Sequence, residues 1–140
     1  MEFVKQNVSY KEFMMHDYIY NLSTVLNDGV LNVPKPIHYD IDKKILTMEK
    51  IDYMCVSDFY GENEKHISKD LFRTVRSIIR LLYDNHIVYP DITGYNFIEY
   101  GGKLWIIDFE HSDFKTHQKD TFVEKFINDE TYNRWNPWFK

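Results

Sequence analysis

Two short segments near the C-terminal end constrain this chain more than any other feature. In the first, Asp91 is followed five positions later by Asn96; in the second, the apolar run 104–107 ends at Asp108 and Phe109. Each pattern alone is common, since the first suits an Asx turn and the second suits a buried strand that ends at a turn. In this order, separated by a short spacer with two glycines, they form a specific signal. Asp and Asn side chains supply the hard oxygen atoms that Mg²⁺ prefers.

Composition limits the size and class of the protein. The chain has 140 residues, of which 17% are aromatic, so we expect one compact domain with a mixed α/β core. A formal net charge of -5 argues against generic binding to nucleic acid through a basic field. The six histidines lack metal-ligand spacing, so no zinc site is expected.

The expected cellular location follows from three further features, which predict an intracellular, cytoplasmic protein that is not secreted and leave a nuclear location open. The single cysteine, Cys55, permits no internal disulfide and is expected to be a small core residue. The N-terminal residues do not resemble a secretory leader. No apolar stretch approaches the length needed to span a bilayer, so no membrane association is expected.

The spacing of apolar residues predicts five strands, at 2–8, 37–39, 45–48, 97–100 and 104–107, and three helices, at 10–27, 68–85 and 119–129. Ser9 is predicted to cap the first helix, with Glu12 completing a capping box. Residues 49–65 are expected to form a linker with one short helix. The predicted apolar positions of the first helix are Phe13, Met14, Tyr18, Leu22, Val25 and Leu26.

The second helix carries the clearest apolar stripe, with the basic residues, including Arg76, mostly off it. The stripe consists of Leu71, Phe72, Val75, Ile78, Ile79 and Leu82. The third predicted helix turns Phe122, Val123, Phe126 and Ile127 inward, and the aromatic tail around Trp135 and Trp138 is expected either to pack or to form a partner surface.

This order of elements and motifs resembles the protein-kinase-like superfamily, and most of all its small atypical branch of RIO-type kinases and the Bud32 family. The closest resemblance lies in Asp91-Ile92-Thr93 and in Asp108-Phe109-Glu110-His111-Ser112, followed by a short spacer and a helix. It implies an α/β (α+β) two-lobe fold in a single domain. A reduced small lobe would cover residues 1–48 and a shortened large lobe residues 49–140.

The resemblance also implies roles for the two C-terminal motifs. Asp91 would accept the proton of an attacking hydroxyl or orient a water molecule. Asn96 and Asp108 would bind Mg²⁺, which bridges the phosphates of ATP.

Two N-terminal segments would complete such a site. Lys5 resembles the lysine that grips two phosphates and that needs an acid from the next helix to hold it in place. Asp17 is the better candidate for that acid, and Glu12 is the alternative. The segment Met48, Glu49, Lys50 and Ile51 resembles the hinge between the two lobes of a kinase. There, backbone N–H and C=O groups would pair with the adenine edge.

The chain also departs from the kinase pattern. No glycine-rich loop precedes Lys5, Tyr89 and Pro90 stand where a His or Arg is expected, and Glu110 stands where protein kinases have Gly. The missing loop implies weaker nucleotide binding and slower transfer, because that loop covers the phosphates and excludes water.

Three functions therefore stay open. The first is a minimal phosphotransferase, acting on a protein at serine or threonine, or an ATPase. The second is an inactive pseudokinase that binds another protein, and the third is a Bud32-like subunit of a tRNA-modifying assembly. We expect a protein partner or substrate, and the acidic charge balance argues against direct nucleic-acid binding by this chain. The oligomeric state is left open.

Overall fold

The structure is a computed structural model that describes residues 1–139; Lys140, the last residue of the predicted large lobe, lies outside the described residues. The strands are β1 (Glu2–Lys5), β2 (Pro36–Asp40), β3 (Ile45–Glu49), β4 (Ile87–Val88), β5 (Phe97–Tyr100), β6 (Lys103–Ile106) and β7 (Asp113–Phe114). The α-helices are α1 (Tyr10–Leu26), α2 (Val56–Tyr60), α3 (Lys69–Asp84) and α4 (Thr121–Asn128). Three short 3₁₀ turns lie at Glu64–His66, Gly94–Asn96 and Pro137–Phe139.

The strands form three small antiparallel sheets. The largest has the order β1-β3-β2, with Val4 opposite Thr47 and Tyr39 opposite Leu46. Strands β5 and β6 form the predicted hairpin, in which Phe97 pairs with Ile106. Strands β4 and β7 form a third pair that the sequence analysis missed, because two-residue strands leave no periodic signal.

Helix α1 has the predicted cap but not the predicted buried face. The Ser9 hydroxyl accepts a hydrogen bond from the Glu12 N–H, whereas the Glu12 side chain bonds to Lys5 instead of closing a capping box. Met14, Tyr18 and Val25 are exposed, and the buried side chains of the helix are Glu12, Met15, His16 and Ile19. The helix carries apolar side chains on more than one side, so their periodicity alone could not predict which side packs against the core.

Helix α3 confirms its predicted stripe and forms the centre of the main core. All six predicted apolar positions are buried, as are Val123, Phe126 and Ile127 of α4, which packs against it. Two further residues do not lie where the sequence analysis predicted. Cys55 is only partly buried, at the N-cap of α2, and Arg76 is buried rather than on the exposed side of α3.

Arg76 joins α3 to the C-terminal part of the chain. Its Nε donates to the Phe126 carbonyl at 2.6 Å, and its Nη2 donates to the Tyr132 carbonyl at 3.1 Å and to the Asn133 Oδ1 at 2.9 Å. The guanidinium group also lies 4.5 Å from the centre of the Phe126 ring. These contacts satisfy carbonyl groups in the last turn of α4 and in the segment that follows it, and they fix the path of the tail.

The tail in turn holds the loop that contains Asp91. Asn136 is buried; its Nδ2 donates to the Pro90 carbonyl at 2.7 Å, and its backbone N–H donates to the Ile92 carbonyl at 2.8 Å. Trp135 beside it is also buried, whereas Trp138 is 86% exposed. The aromatic tail is therefore packed in one part and exposed in another.

We predict that Arg76→Met lowers the free energy of unfolding by about 2–4 kcal/mol, because it leaves buried carbonyl groups without a donor. Urea denaturation measures this change. The matched control is Arg73→Met on the same helix, whose side chain is 74% exposed and forms an exposed ion pair with Asp70. Its effect should stay within about 0.5 kcal/mol. Equal losses in the two variants would contradict the structural role of Arg76.

We also predict that Asn136→Ala increases hydrogen exchange of the amides in residues 92–96 by about tenfold, because the loop loses the side-chain contact to the Pro90 carbonyl and keeps only the backbone contact to Ile92. Asn136→Asp, which cannot donate to Pro90, should act in the same direction. Exchange monitored by NMR or mass spectrometry is the measurement, with Trp138→Ala as the control. Unchanged protection of residues 92–96 in Asn136→Ala would show that the tail does not hold this loop.

Candidate functional site

A cleft of about 360 Å³ opens between the three-stranded sheet and the β5–β6 hairpin. The predicted hinge residues Met48, Glu49, Lys50 and Ile51 all line it, and so do Lys5 and Asp108. The remaining lining residues are Phe3, Glu12, His16, Pro34, Tyr53, Ile98 and Ile107. The cleft thus combines a mainly apolar wall with a few charged groups, which is typical of a small-molecule site.

Lys5 lies between two carboxylates. Its Nζ donates to Glu12 Oε2 at 2.5 Å and to Asp108 Oδ1 at 3.3 Å. Strand β1 presents the lysine, α1 presents Glu12, and the turn after β6 presents Asp108. The ammonium group is therefore fixed at one end of the cleft by contacts from opposite ends of the chain.

The acid that pairs with Lys5 is Glu12 and not Asp17, which the sequence analysis preferred. Asp17 lies beside Met14, Tyr18 and Asn21 on the outer side of α1, away from the cleft. Five residues along an α-helix correspond to a rotation of about 140°, so the two acids cannot face the same neighbour. Because the buried face of α1 was predicted wrongly, the acid was as well.

Burial affects the two members of this ion pair differently. Desolvation lowers the pKa of Lys5, but hydrogen bonds and charges from Glu12 and Asp108 more than offset it, and the pKa is raised above its ordinary value. Desolvation raises the pKa of Glu12, and the contact with Lys5 offsets this only partly. Burying the Glu12 carboxylate costs free energy, which offsets much of the attraction between Glu12 and Lys5. The main effect of the ion pair is therefore to orient the Lys5 side chain, and its contribution to the stability of the fold is small.

Asp108 and Asn96 lie close together because the β5–β6 hairpin begins and ends beside them. The Ile107 N–H donates to the Asn96 carbonyl at 3.0 Å, directly before Asp108. Asp108 has a φ of 64°, a left-handed conformation that is uncommon for a residue other than glycine. These two side chains supply a carboxylate and an amide group, and oxygen donors of this kind could hold a hard divalent cation.

Asp91 lies in the loop that Asn136 holds. The Asn96 Nδ2 donates to the Asp91 carbonyl at 2.9 Å, so two of the predicted residues are joined directly. The Asp91 carboxylate is 9% exposed, and its Oδ2 lies 3.3 Å from Nδ1 of His111. Burial raises the pKa of Asp91, the charge of Asp108 adds to this, and contacts from His111 and Asn96 offset it only partly.

Three residues of the site were missed by sequence reasoning. His16 is buried, bonds through Nε2 to the Pro34 carbonyl at 2.8 Å and packs edge-on against Phe109. His111 contacts Asp91, and its ring lies 4.8 Å from that of Phe139. Asn136 holds the loop. Of these three residues, only His111 could have been found from the sequence, because it follows Asp108 by three positions in the same motif. His16 and Asn136 reach the site through contacts between distant segments.

Within residues 1–139, no helix combines the length and the hydropathy required to cross a membrane.

Comparisons with known proteins identify the family. The RIO domain matches residues 4–128, which is most of the chain. The chain is similar to the EKC/KEOPS complex subunit BUD32 of Enterocytozoon bieneusi, with 30% identity over 111 residues that cover 71% of this chain and 54% of that protein. It is also similar to the probable serine/threonine-protein kinase BUD32 homolog of Archaeoglobus fulgidus, with 33% identity over 78 residues, 55% of this chain and 36% of that protein.

A third relative is the 3-deoxy-D-manno-octulosonic acid kinase of Vibrio cholerae, with 31% identity over 113 residues, 73% of this chain and 43% of that protein. The chain thus spans about half the length of the curated relatives that it matches, or less.

The fold resembles that of the kinase PK-1 of Cydia pomonella granulovirus. The TM-score is 0.57 at 14% identity, and the match covers 81% of this chain and 42% of that chain. This likeness confirms the predicted kinase-like two-lobe α/β fold. The match over residues 4–128, together with this fold, shows that the chain belongs to the RIO domain family and is an atypical, Bud32-like member of the protein-kinase-like superfamily.

Proposed function

We propose that this chain binds Mg²⁺–ATP in the cleft and transfers the terminal phosphoryl group to a serine or threonine hydroxyl of a protein, or slowly to water. The observation that carries the proposal is the position of Lys5, held by Glu12 and Asp108 at the charged end of the cleft. An ammonium group fixed in this way is suited to bind phosphate oxygens. Membership of a kinase-like family supports the same reaction class.

The residues of the cleft fit a nucleotide and a hard metal ion. Asp108 and Asn96 would hold Mg²⁺ through oxygen atoms, and Lys5 would bind the phosphates. The apolar side chains of Met48, Ile98 and Ile107 would contact the base. Within the part of the chain that the structure describes, the Ile51 N–H donates no hydrogen bond, which leaves it available to the adenine edge.

Asp91 would act on the acceptor. When bound, Mg²⁺–ATP supplies the phosphoryl group, and the metal offsets the phosphate charge. Asp91 orients the attacking hydroxyl and accepts the proton that this hydroxyl loses. Its raised pKa makes it a stronger base than an ordinary aspartate, and His111 and Asn96 limit its motion.

A second candidate is a binding module without transfer activity. The Asp91 carboxylate is almost fully covered, with His111 against it and Phe139 against His111, so an acceptor hydroxyl reaches it only if these side chains move. Similarity to a protein named as an EKC/KEOPS complex subunit supports a role within a protein assembly. Nucleotide binding without phosphoryl transfer to proteins or water would favour this second candidate.

We predict that ATP with Mg²⁺ raises the melting temperature by about 3–6 °C at a concentration about ten times its Kd. ATP without Mg²⁺ should give a smaller shift. Asp108→Asn should remove the part that depends on Mg²⁺, because the neutral amide binds the ion more weakly than a carboxylate does. A thermal-shift titration measures both effects. A Mg²⁺-dependent shift that survives unchanged in Asp108→Asn would contradict the assignment of Asp108 to the metal.

We also predict that Glu12→Gln weakens ATP binding by about five- to tenfold, because the charge-assisted contact that orients Lys5 is lost. The matched control is Asp17→Asn, on the outer side of the same helix, which should leave the Kd within about twofold. Isothermal titration measures both. The free energy of unfolding of Glu12→Gln should change by about 1 kcal/mol or less, because burial of the Glu12 charge is itself costly. Weaker binding in Asp17→Asn but not in Glu12→Gln would reverse the assignment.

A further inference from the structure

A group of exposed aromatic and apolar side chains lies beside the cleft. We name it the aromatic surface; it consists of Tyr53, Met54, Phe59, Tyr60 and Tyr95. Their exposure runs from 37% for Tyr60 to 52% for Phe59. The Phe59 ring lies 4.7 Å from that of Tyr60 and 6.0 Å from that of Tyr53. Clustered exposed side chains of this size are typical of an interaction site.

The aromatic surface is rigidly connected to the candidate functional site. Tyr53 lines both the cleft and the shallow groove of this surface. Helix α2, which carries Phe59 and Tyr60, packs tightly on the loop between Asp91 and Asn96. A Cβ atom added at Gly94 would lie 2.2 Å from Ser57 Oγ and 3.1 Å from the Ser57 backbone nitrogen, so only glycine permits this approach. A partner on this surface would therefore lie next to the Asp91 loop.

The charges on this surface are negative. Between residues 51 and 64 the chain has four acidic residues; Lys50 and Lys65 flank this stretch, and Lys50 pairs with Asp52 at 3.6 Å. Two carboxylates are held by tyrosines of the surface, since the Tyr60 hydroxyl donates to Glu99 at 2.7 Å and the Tyr95 hydroxyl donates to Glu62. A hydroxyl donor orders a carboxylate without neutralising it. The surface thus presents fixed negative charges beside aromatic rings.

This combination selects one chemistry. Arg and Lys side chains bind carboxylates through charge-assisted hydrogen bonds and bind aromatic rings through cation–π contacts. Apolar side chains of the same partner would cover Met54 and Phe59. Phosphate backbones and anionic lipid surfaces would be repelled by the carboxylates. The charge complement of the aromatic surface is therefore a basic, partly apolar stretch of protein.

We infer that the aromatic surface docks a protein segment in which Arg or Lys alternates with apolar side chains. Binding of this segment does not require phosphoryl transfer. That the bound segment brings an acceptor hydroxyl to Asp91 rests on the proposed function.

The first test measures binding without nucleotide. A short fluorescein-labelled peptide in which Arg alternates with Leu should bind the full chain in a fluorescence anisotropy titration, and the same peptide with every Arg replaced by Glu should not. Glu62→Gln combined with Glu99→Gln keeps both tyrosine hydrogen bonds and should weaken binding about fivefold. Phe59→Ala should weaken it to a similar extent.

Matched controls separate docking from general attraction to an acidic protein. Asp42→Asn combined with Asp84→Asn removes the same charge from the β2–β3 turn and the end of α3, outside the aromatic surface. Ile41→Ala removes an exposed apolar side chain elsewhere. Both controls should bind like the parent chain, and circular dichroism should show that all variants are folded.

Three results would overturn the inference: no binding of the Arg–Leu peptide, equal weakening in surface variants and controls, or tighter binding of single-stranded RNA than of the peptide at the same salt concentration. Failure of the proposed function would give a different result. The peptide would still bind and its binding would still weaken in the surface variants, but Mg²⁺–ATP would give no thermal shift. If transfer also occurs, the surface variants should raise KM for a basic peptide substrate about fivefold and leave kcat unchanged.

Discussion

The ammonium group of Lys5 joins β1, α1 and the turn after β6, and that turn lies far from the other two in the sequence. Its contact with Glu12 spans 7 residues and its contact with Asp108 spans 103. Burial opposes both charges of the Lys5–Glu12 pair, so the pair persists because the surrounding structure holds it. That structure is the inner face of α1, where Met15 and Ile19 are buried in the main core. Any movement of α1 would alter the charged end of the cleft.

A second set of contacts places the Asp91 loop from the opposite end of the chain. Arg76 fixes the segment after α4, and that segment delivers Asn136 to the carbonyl groups of Pro90 and Ile92. The residues after α4 are therefore part of the support of the candidate site. The packing of α4 on the buried face of α3 is what allows these polar contacts to form away from water.

The cleft and the aromatic surface share a boundary, and their chemistry is different. The cleft is apolar along its walls with Lys5 at one end, which suits a planar base joined to phosphates. The aromatic surface has carboxylates held by tyrosines, which suits a cationic partner. Tyr53 and the close contact of Gly94 with Ser57 link the two. A nucleotide and a basic protein segment would thus approach from neighbouring sides.

Sequence reasoning predicted the elements with strong local signals. The stripe of α3, the Ser9 cap of α1 and the β5–β6 hairpin each follow from residues close together in the chain, and the structure confirms all three. The proximity of Asn96 to Asp108 also follows locally, because a hairpin brings its two ends together. The roles of these residues in catalysis stay predictions.

What the sequence by itself determined is the order of the longer elements and most of the charged residues near the cleft, since periodicity, caps and turns act over a few residues. Tertiary structure alone decided which side of each element faces inward. Helix α1 carries apolar residues on both its inner and its outer side, so only packing against Phe109 and its neighbours selected Glu12 over Asp17. Tertiary structure also decided that Arg76 is buried and that Asn136 donates to Pro90. Each side chain bonds to a carbonyl group about 50 residues away in the chain, which no local pattern reveals.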